Sequence, residues 1–393
     1  MAAPLHVCIL CTQHSPDDGR VTHKLGAMLA HAGFPVTWVG PGAPGSVRVP
    51  GIEFHPFASF GRGRWSRLLL WRKLERTCLA IPGIEKTAVF LAVEPDSAEV
   101  AIRLGRRFGA RAIFDIHEIY HGEMLQYWVP AWLQPLASRV VLARLRSICR
   151  RADLVMGPGT TRIDPYRAVA RRTLVVRHSL GLSAMQGNEA RPLPDGTPMV
   201  RIMHGKAAPS RGTETLLRGA ARAAELLDGR TVFKVVCFEG PGGAEAARNR
   251  PFRAFIEREK LLPLVDLRAQ VPFSEMMPIL ATCDIGAIAY GRDFGVRSLP
   301  NRIFEYMAVG LPVIVPDYAA ELRPILSRFQ CGVEADMEDE ESIAMAIIRL
   351  VTDRAAARAM GRRGREASLL ELNMEQEIAP LIAWIGGRTE AST

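Results

Sequence analysis

The chain has 393 residues, 48% of them hydrophobic and 23% charged, with 50 Lys and Arg against 41 Asp and Glu for a net charge of +9. That length divides naturally into two domains of ordinary size, and the hydrophobic share excludes a disordered or fibrous chain. The positive balance favours anionic partners such as nucleotide phosphates or anionic lipid. The arginines, however, are scattered among acidic residues with no zinc-finger or RNA-recognition pattern, which sets nucleic acid aside.

The opening residues, MAAPLHVCILCTQHSPDDGR, place no basic segment ahead of their short apolar run, so no cleaved leader is expected there. No apolar stretch reaches roughly 18 residues, so no transmembrane helix is expected and the cytoplasm is the expected compartment. The seven cysteines are scattered: Cys8, Cys11, Cys78, Cys149, Cys237, Cys283 and Cys331. Cys8 and Cys11 spell CxxC, but on a strand they point to opposite faces and no second pair lies nearby. Buried core thiols are expected rather than a metal site.

Short apolar runs in the first half predict strands at His6–Cys11, Val36–Gly40, Ala88–Ala92, Ala112–Ile116, Leu154–Gly157 and Leu174–Arg177. Helical spacing at Val21–Ala32 and Glu99–Phe108 separates them, which implies βαβ units and a parallel sheet. Gly40–Gly45 matches GxGxxG, but Ser-Val-Arg-Val-Pro-Gly follows instead of a helix start, and its prolines lack donors for a phosphate. A plain loop is expected there. Ser15–Arg20 leads into a helical pattern, so Asp17 or Asp18 can serve as a cap, or Gly19, Arg20 and the first amides can face an anion.

Gly61–Leu79 mixes Arg62, Arg64, Arg67, Arg72, Lys73 and Arg76 with Trp65, Leu68, Leu70, Trp71 and Leu74. On a helix Leu70, Trp71, Leu74 and Cys78 share one face. That face can lie on an anionic membrane, assisted by Tyr127, Trp128 and Trp132, or pack on the sheet. The strand ending Phe114-Asp115-Ile116-His117-Glu118 finishes in three ionisable groups. His117 suits proton transfer near neutrality, and a hydrogen-bonded structural histidine is the competing reading. Leu180–Met199 loses periodicity and gathers Gly, Pro and Asn, marking a domain boundary.

The second half opens with a strand at Met199–His204. In the loop after it, Lys206 and Arg211 are flanked by Gly205 and Gly212 ahead of a helix from Thr213. Two cations five apart before a helix N-terminus form a diphosphate clamp in outline. Strands are predicted at Phe233–Phe238, Val265–Val271, Ile285–Tyr290, Pro312–Val315 and Gly332–Glu334, and one further helix over Leu369–Ile385. Between these, Asp293–Asp317 reads as loop, short helix and buried strand. Ser298, Pro300 and Asn301 signal the helix start, Ile303, Phe304, Met307 and Ala308 form its apolar face, and Gly310 stops it. Packing leaves Glu305 unexplained.

The string SLPNRIFEYMAVGLPVI, Ser298–Ile314, resembles the donor-site signature of GT-B fold glycosyltransferases, in the large retaining family numbered four (group 1). The resemblance implies an α/β fold of two Rossmann-like parallel-sheet domains facing an interdomain cleft. It gives an acceptor-side domain over 1–182, a linker over 183–198 and a nucleotide-sugar donor domain over 199–368. A helix over 369–385 then crosses back to the first domain, ahead of a flexible tail over 386–393.

It also implies that Glu305 binds the ribose hydroxyls and that Lys206 and Arg211 hold the diphosphate between Gly205 and Gly212. The two cations stand in exchanged order relative to the family. Ser298, Leu299, Pro300, Asn301 and Val271 would complete the donor site, with the nucleobase near Val271-Pro272-Phe273. His117 would contact the transferred sugar, and Gly19, Arg20, Asp115 and Glu118 would line the acceptor or cleft loops. The family usually carries a second glutamate eight residues before the first. Here that position is Arg297, and the sequence is similar to the branch with Ser-Leu-Pro-Asn-(Lys/Arg).

The implied reaction moves a sugar from a nucleotide-diphosphate sugar to an acceptor hydroxyl with retention. Its expected setting is bacterial surface polysaccharide or glycolipid synthesis at the inner face of the membrane, on a glycan or lipid-linked glycan acceptor. No Asp-x-Asp occurs, so no metal is expected, and no cofactor beyond the nucleotide sugar. A nucleotide-sugar epimerase, or a nucleotide-sugar-binding protein without turnover, are the competing readings, the latter prompted by Arg297.

Overall fold

The computed structural model of the chain describes residues 4–58, 67–120, 125, 129–190, 199–239 and 244–387. Contacts divide it into two compact units, one drawn from Met1–His178 and Met374–Thr393 and the other Ser179–Asn373.

The first unit is a parallel sheet of seven strands: β1 His6–Leu10, β2 Val36–Pro41, β3 Ile52–Phe57, β4 Thr87–Ala92, β5 Arg111–Asp115, β6 Leu154–Gly157 and β7 Thr173–Val175. Their order is β3-β2-β1-β4-β5-β6-β7. β1 reads HVCIL, nearly all apolar, because helices cover both faces of a parallel sheet. One core gathers Cys8, Leu10, Phe90 and Ile148, the other Val7, Ile9, Cys11 and Trp38. The two halves of CxxC therefore sit on opposite sides of the sheet, and all seven cysteines are buried free thiols.

Strand β3 departs from the sequence expectation. Glu53, His55 and Pro56 interrupt its apolar run, and it is tolerated as an edge strand paired with β2 alone. The helix expected over Val21–Ala32 opens as a wide π-helical segment, Val21–Gly26, before Ala27–His31. Asp18 is the residue that caps it: its Oδ1 accepts from the amides of Arg20 (2.9 Å) and Val21 (2.7 Å).

The basic helix runs Arg67–Leu79, and residues 61–66 of that stretch, with Tyr127 and Trp128, lie outside the described residues. Leu70, Leu74 and Cys78 are buried in the core with Phe57 and Phe90, so this apolar face packs on the sheet and is not available to a membrane. Trp71 lies partly buried beneath the guanidinium groups of Arg72 and Arg103. Among the described residues no helix is long and apolar enough to cross a membrane.

The second unit is a parallel sheet of six strands: β8 Met199–Lys206, β9 Val232–Phe238, β10 Val265–Arg268, β11 Ile285–Ala287, β12 Val313–Pro316 and β13 Gly332–Ala335, ordered β10-β9-β8-β11-β12-β13. β10 and β11 stop earlier than their apolar runs suggest, leaving Val271 and Tyr290 in loops. The expected helix over Leu369–Ile385 is instead the end of one helix, Arg354–Leu370, and the whole of another, Met374–Ile385. Between them Asn373 Nδ2 donates back to the carbonyls of Ser368 (3.1 Å) and Leu369 (3.0 Å), which fixes the break.

Candidate functional site

Each sheet has a switch point, where neighbouring strands send their following segments to opposite sides: β1/β4 in the first unit and β8/β11 in the second. Open α/β sheets bind ligands outside the carboxyl ends of their strands at such points.

In the second unit β8 ends in His204-Gly205-Lys206, with a shift in its register against β9 between Met203 and Gly205. Gly205 has φ +104°, and a Cβ there would lie 3.3 Å from Arg302 Nε. Gly212 is required more strictly. Its φ is +68°, and a Cβ would stand 1.7 Å from the carbonyl oxygen of Ala289, just beyond β11. The loop between them thus lies tight against the segment leaving β11 and delivers helix Thr213–Leu226. The buried Thr213 side chain accepts from Ala208 N (3.0 Å), donates to Ala208 O (2.9 Å) and bonds His204 Nε2 (2.8 Å).

Lys206 is exposed on this loop. Arg211 donates to the Tyr290 hydroxyl and stacks over Tyr290 and Phe294 at 4.8 and 4.7 Å from their ring centres. That stacking holds the guanidinium plane in place. Across from the loop, helix Arg302–Val309 begins at Asn301, whose amide makes no capping bond. Glu305 is buried, and its Oε2 accepts from Arg302 at 2.7 Å. Burial opposes the Arg302 charge, but Glu305 together with Tyr306 and Tyr290 outweighs it and the guanidinium pKa is raised. Burial, then the charges of Arg211 and Arg302, pull the His204 pKa down to about 4. The Gly205 contact sets Arg302 beside the same loop that carries Arg211. Tyr306, fully buried, donates to the His204 carbonyl (3.1 Å) and ties the helix to β8.

The remaining expected donor residues divide. Ser298 is buried and its hydroxyl donates to the Phe294 carbonyl, so it shapes the loop. Leu299 and Val271 pack at the edge of the core around Phe304 and Met307. Pro300 and Asn301 supply the carbonyls that start the helix, accepting from Ile303 (3.2 Å) and Phe304 (3.1 Å). Arg297 is exposed.

In the first unit the loop after β1 is held from the loop after β4. Glu94, N-cap of helix Pro95–Phe108, accepts the amides of Thr12 (3.0 Å), Gln13 (2.9 Å) and His14 (3.2 Å) and bonds His14 Nδ1 at 2.7 Å. Burial alone would raise the Glu94 carboxyl, but His14 and these amides hold it below its usual range, and the same pairing raises His14 against its own burial. The His14 and His117 rings meet edge-on at 5.5 Å, and His117 meets His178 at 5.6 Å.

His117 is buried, with Nε2 hydrogen-bonded to Asp115 Oδ2. Burial, then Arg20, lower its pKa. Arg20 Nε donates to His178 Nε2 at 2.5 Å, so that nitrogen must be an acceptor. Burial and Arg20 accordingly hold the His178 pKa well below normal. Asp115 Oδ1, His117 Nδ1, His178 Nδ1 and Arg20 Nη2 are buried without a hydrogen bond. Such a concentration of unsatisfied polar atoms marks functional sites more than cores. Glu118 is exposed and its charge acts on Arg20. Gly19 is exposed, with nothing within 4 Å of where a Cβ would be, and takes no part in this network.

Sequence reasoning missed His14, Glu94, His178, Arg302, Tyr290 and Phe294. Two of them had a local signal: Glu94 as a polar residue before a proline at a helix start, and Arg302 as the last residue of the Ser-Leu-Pro-Asn-Arg string, to which no role had been given. Among the described residues no group of three His, Cys, Asp or Glu side chains is placed to hold a metal ion.

The profile of the family described as Glycosyl transferase-like matches residues 243–383. No curated protein matches the chain by sequence. Solved structures do match over nearly the whole chain. Sucrose-phosphate synthase from Thermosynechococcus elongatus is 17% identical with TM-score 0.75, covering 98% of this chain and 100% of that one. HepE from Anabaena in complex with UDP is 12% identical with TM-score 0.72, covering 97% and 100%. A trehalose 6-phosphate synthase from Burkholderia multivorans is 12% identical with TM-score 0.68, covering 98% and 97%. The fold is GT-B. Residues 243–383, in addition, are similar to the Glycosyl transferase-like family.

Proposed function

We propose that the chain transfers a sugar from a nucleotide-diphosphate sugar to an acceptor hydroxyl, with retention. The observation that carries this reading is the second unit's switch point, where a glycine-flanked loop bearing Lys206 and Arg211 backs onto the helix bearing Arg302 and Glu305. Cations and helix N-terminal amides there suit a diphosphate. Glu305, steadied by Arg302, offers a carboxylate to ribose hydroxyls. As the glycosidic bond breaks, negative charge grows on the leaving diphosphate, and preorganised donors stabilise it without a metal ion. We assign the acceptor side to the first unit, where His117 is backed by Asp115.

HepE and its complexes with UDP and UDP-glucose make uridine donors the first to try. Thermal-shift titration with uridine, guanosine and adenosine diphosphate sugars tests the reading, because a ligand of the native state stabilises it in proportion to its saturation. One base should raise the unfolding temperature saturably. Lys206→Ala and Arg211→Ala should each lower turnover by about 10²–10³ with unfolding unchanged, and unchanged turnover in both would remove the proposal. A binding protein without turnover, favoured by Arg297 in place of a glutamate, predicts the thermal shift but no product on any acceptor. The acceptor we infer is a bacterial surface glycan or lipid-linked glycan, met at a membrane face.

A further inference from the structure

Four polar atoms buried in the first unit come together without a hydrogen bond: Asp115 Oδ1, His117 Nδ1, His178 Nδ1 and Arg20 Nη2. Each belongs to a side chain that is engaged elsewhere. Asp115 Oδ2 and His117 Nε2 bond each other, Arg20 Nε bonds His178 Nε2, and the His117 and His178 rings stand 5.6 Å apart. Asp115, His117 and His178 are 3% exposed or less, and Arg20 is half-buried on the loop after β1. A buried polar atom without a partner destabilises a fold, so four in one cluster call for an occupant that supplies the missing bonds.

The internal bonds decide what each of these atoms can do. Burial first, then Arg20, lower the pKa of both rings and hold them neutral. Arg20 has only donors, so His178 Nε2 accepts and the single proton of that ring sits on Nδ1. His117 donates from Nε2 to the Asp115 carboxylate, which leaves its Nδ1 bare. The cluster therefore offers two donors, His178 Nδ1 and Arg20 Nη2, and two acceptors, His117 Nδ1 and Asp115 Oδ1. An anion would use the donors alone and would meet a lone pair and a carboxylate at the other two. Nor is there surplus positive charge for it. Asp115, Glu118 and Asp18 act on Arg20, Glu94 pairs with His14, and Lys24 donates to the His178 carbonyl at 2.7 Å. Hydroxyl groups, by contrast, both donate and accept.

We propose that this cluster binds hydroxyls of an uncharged sugar, with Arg20 and His178 donating to them and His117 and Asp115 accepting from them. Arg20, which the sequence offers as an anion ligand, is in this arrangement a hydroxyl donor. The bonds Arg20–His178 and Asp115–His117 fix the two tautomers, so the order of donors and acceptors is set before a ligand arrives. The consequence is selection by charge: the site holds a neutral sugar and gains nothing from a phosphate on it. Whether that sugar is the one transferred or the one receiving has meaning only under the transferase reading above, on which that part rests; the hydroxyl site itself does not.

Magnetic resonance of the full chain, isotope-labelled at the histidine ring nitrogens, tests it. At neutral pH the free protein should show the proton on Nδ1 of His178 and on Nε2 of His117. The opposite tautomer in either ring overturns the proposal, and this reading needs no variant. Methyl glycosides of glucose, galactose and mannose are then titrated, with inorganic phosphate and glucose 6-phosphate as anionic probes. A second arm compares uridine diphosphate glucose and guanosine diphosphate mannose with the bare diphosphates. Saturable binding of a neutral glycoside is expected, about tenfold or more weaker in His178→Gln and in His117→Gln. A glutamine amide reaches the place of Nε2, so each variant keeps the bond to Arg20 or Asp115 and loses only the Nδ1 atom. If instead the advantage of a nucleotide sugar over its bare diphosphate is what these variants lose, the hydroxyls belong to the transferred sugar. Tighter binding of phosphate or glucose 6-phosphate than of the glycosides, weakened in His178→Gln, overturns the proposal, as does sugar binding that neither variant changes or no sugar binding at all. Bare diphosphates that bind while no sugar does would sink this inference and leave the donor site standing; glycosides that bind while no diphosphate does would do the reverse.

Discussion

Gly212 is constrained twice over, by a left-handed backbone and by a carbonyl 1.7 Å from where a side chain would begin. Relief requires the loop after β8 to move away from Ala289, and with it Arg211 and the first turn of the helix. Gly212→Ala should therefore destabilise the second unit by about 2–4 kcal/mol and abolish nucleotide binding, as read by chemical unfolding and titration. His204 gives a pH signature. Its folded pKa, about 4, lies below the unfolded value. Between roughly pH 6.5 and 4 the unfolded chain thus binds the extra proton, and stability falls as pH falls through that window. The loss should reach on the order of 2 kcal/mol by pH 5, with the lowered pKa values of His117 and His178 acting in the same direction. Unfolding curves at pH 7 and 5 for the wild type and His204→Gln check it: the variant should lose less on acidification.

At the scale of elements, the loop after β1 depends on a carboxylate some eighty residues away. Glu94→Gln keeps the shape but lacks the charge that satisfies three amides and His14. A loss of about 3 kcal/mol is expected, measured by urea unfolding, with faster amide exchange at 12–14. That dependence also explains what was legible in the sequence. Strands such as β1 and β12 were plain, because a run buried on both faces must be apolar throughout. The Ser298–Ile314 segment was plain because turn, helix and strand signals follow one another within one local stretch. β3 was hidden by Pro56, which only an edge position tolerates. The His14–His117–His178 array was hidden because its members come from segments far apart, joined by strand order and not by spacing.

A second element decides between two readings of the basic helix. The apolar stripe of Arg67–Leu79 is consumed by the core, whereas Trp132, Leu136 and Val140, four residues apart, are exposed beside Arg139 and Arg144. That combination suits an anionic bilayer surface. Trp132→Ser/Leu136→Ser should abolish co-sedimentation with anionic vesicles and leave nucleotide binding intact, whereas the substitution Arg72→Gln should not.

At the scale of the whole molecule, the first unit is not continuous in sequence: it is completed by Met374–Ile385 after the entire second unit has been laid down. Met374, Ile378, Leu381 and Ile385 are buried with Val7, Ile9 and Trp38. Arg111 donates to the carbonyls of Trp384 (2.7 Å) and Ile385 (2.5 Å), and Glu377 accepts from the Arg177 amide (3.1 Å). Four such side chains contribute on the order of 6–12 kcal/mol of burial, comparable to the ~5–15 kcal/mol that a domain has in total. The second unit, Ser179–Asn373, is continuous and keeps its own cores without them. A chain ending at Asn373 should therefore lose the cooperative unfolding transition of the first unit and retain that of the second. Calorimetry would show one transition where the full chain shows two or a broadened one. Titration with a uridine diphosphate sugar should still raise the surviving transition, because every donor-side group named above belongs to the second unit. Loss of both transitions on truncation would mean that the second unit is not stable alone, and the division of labour argued from its core would fail.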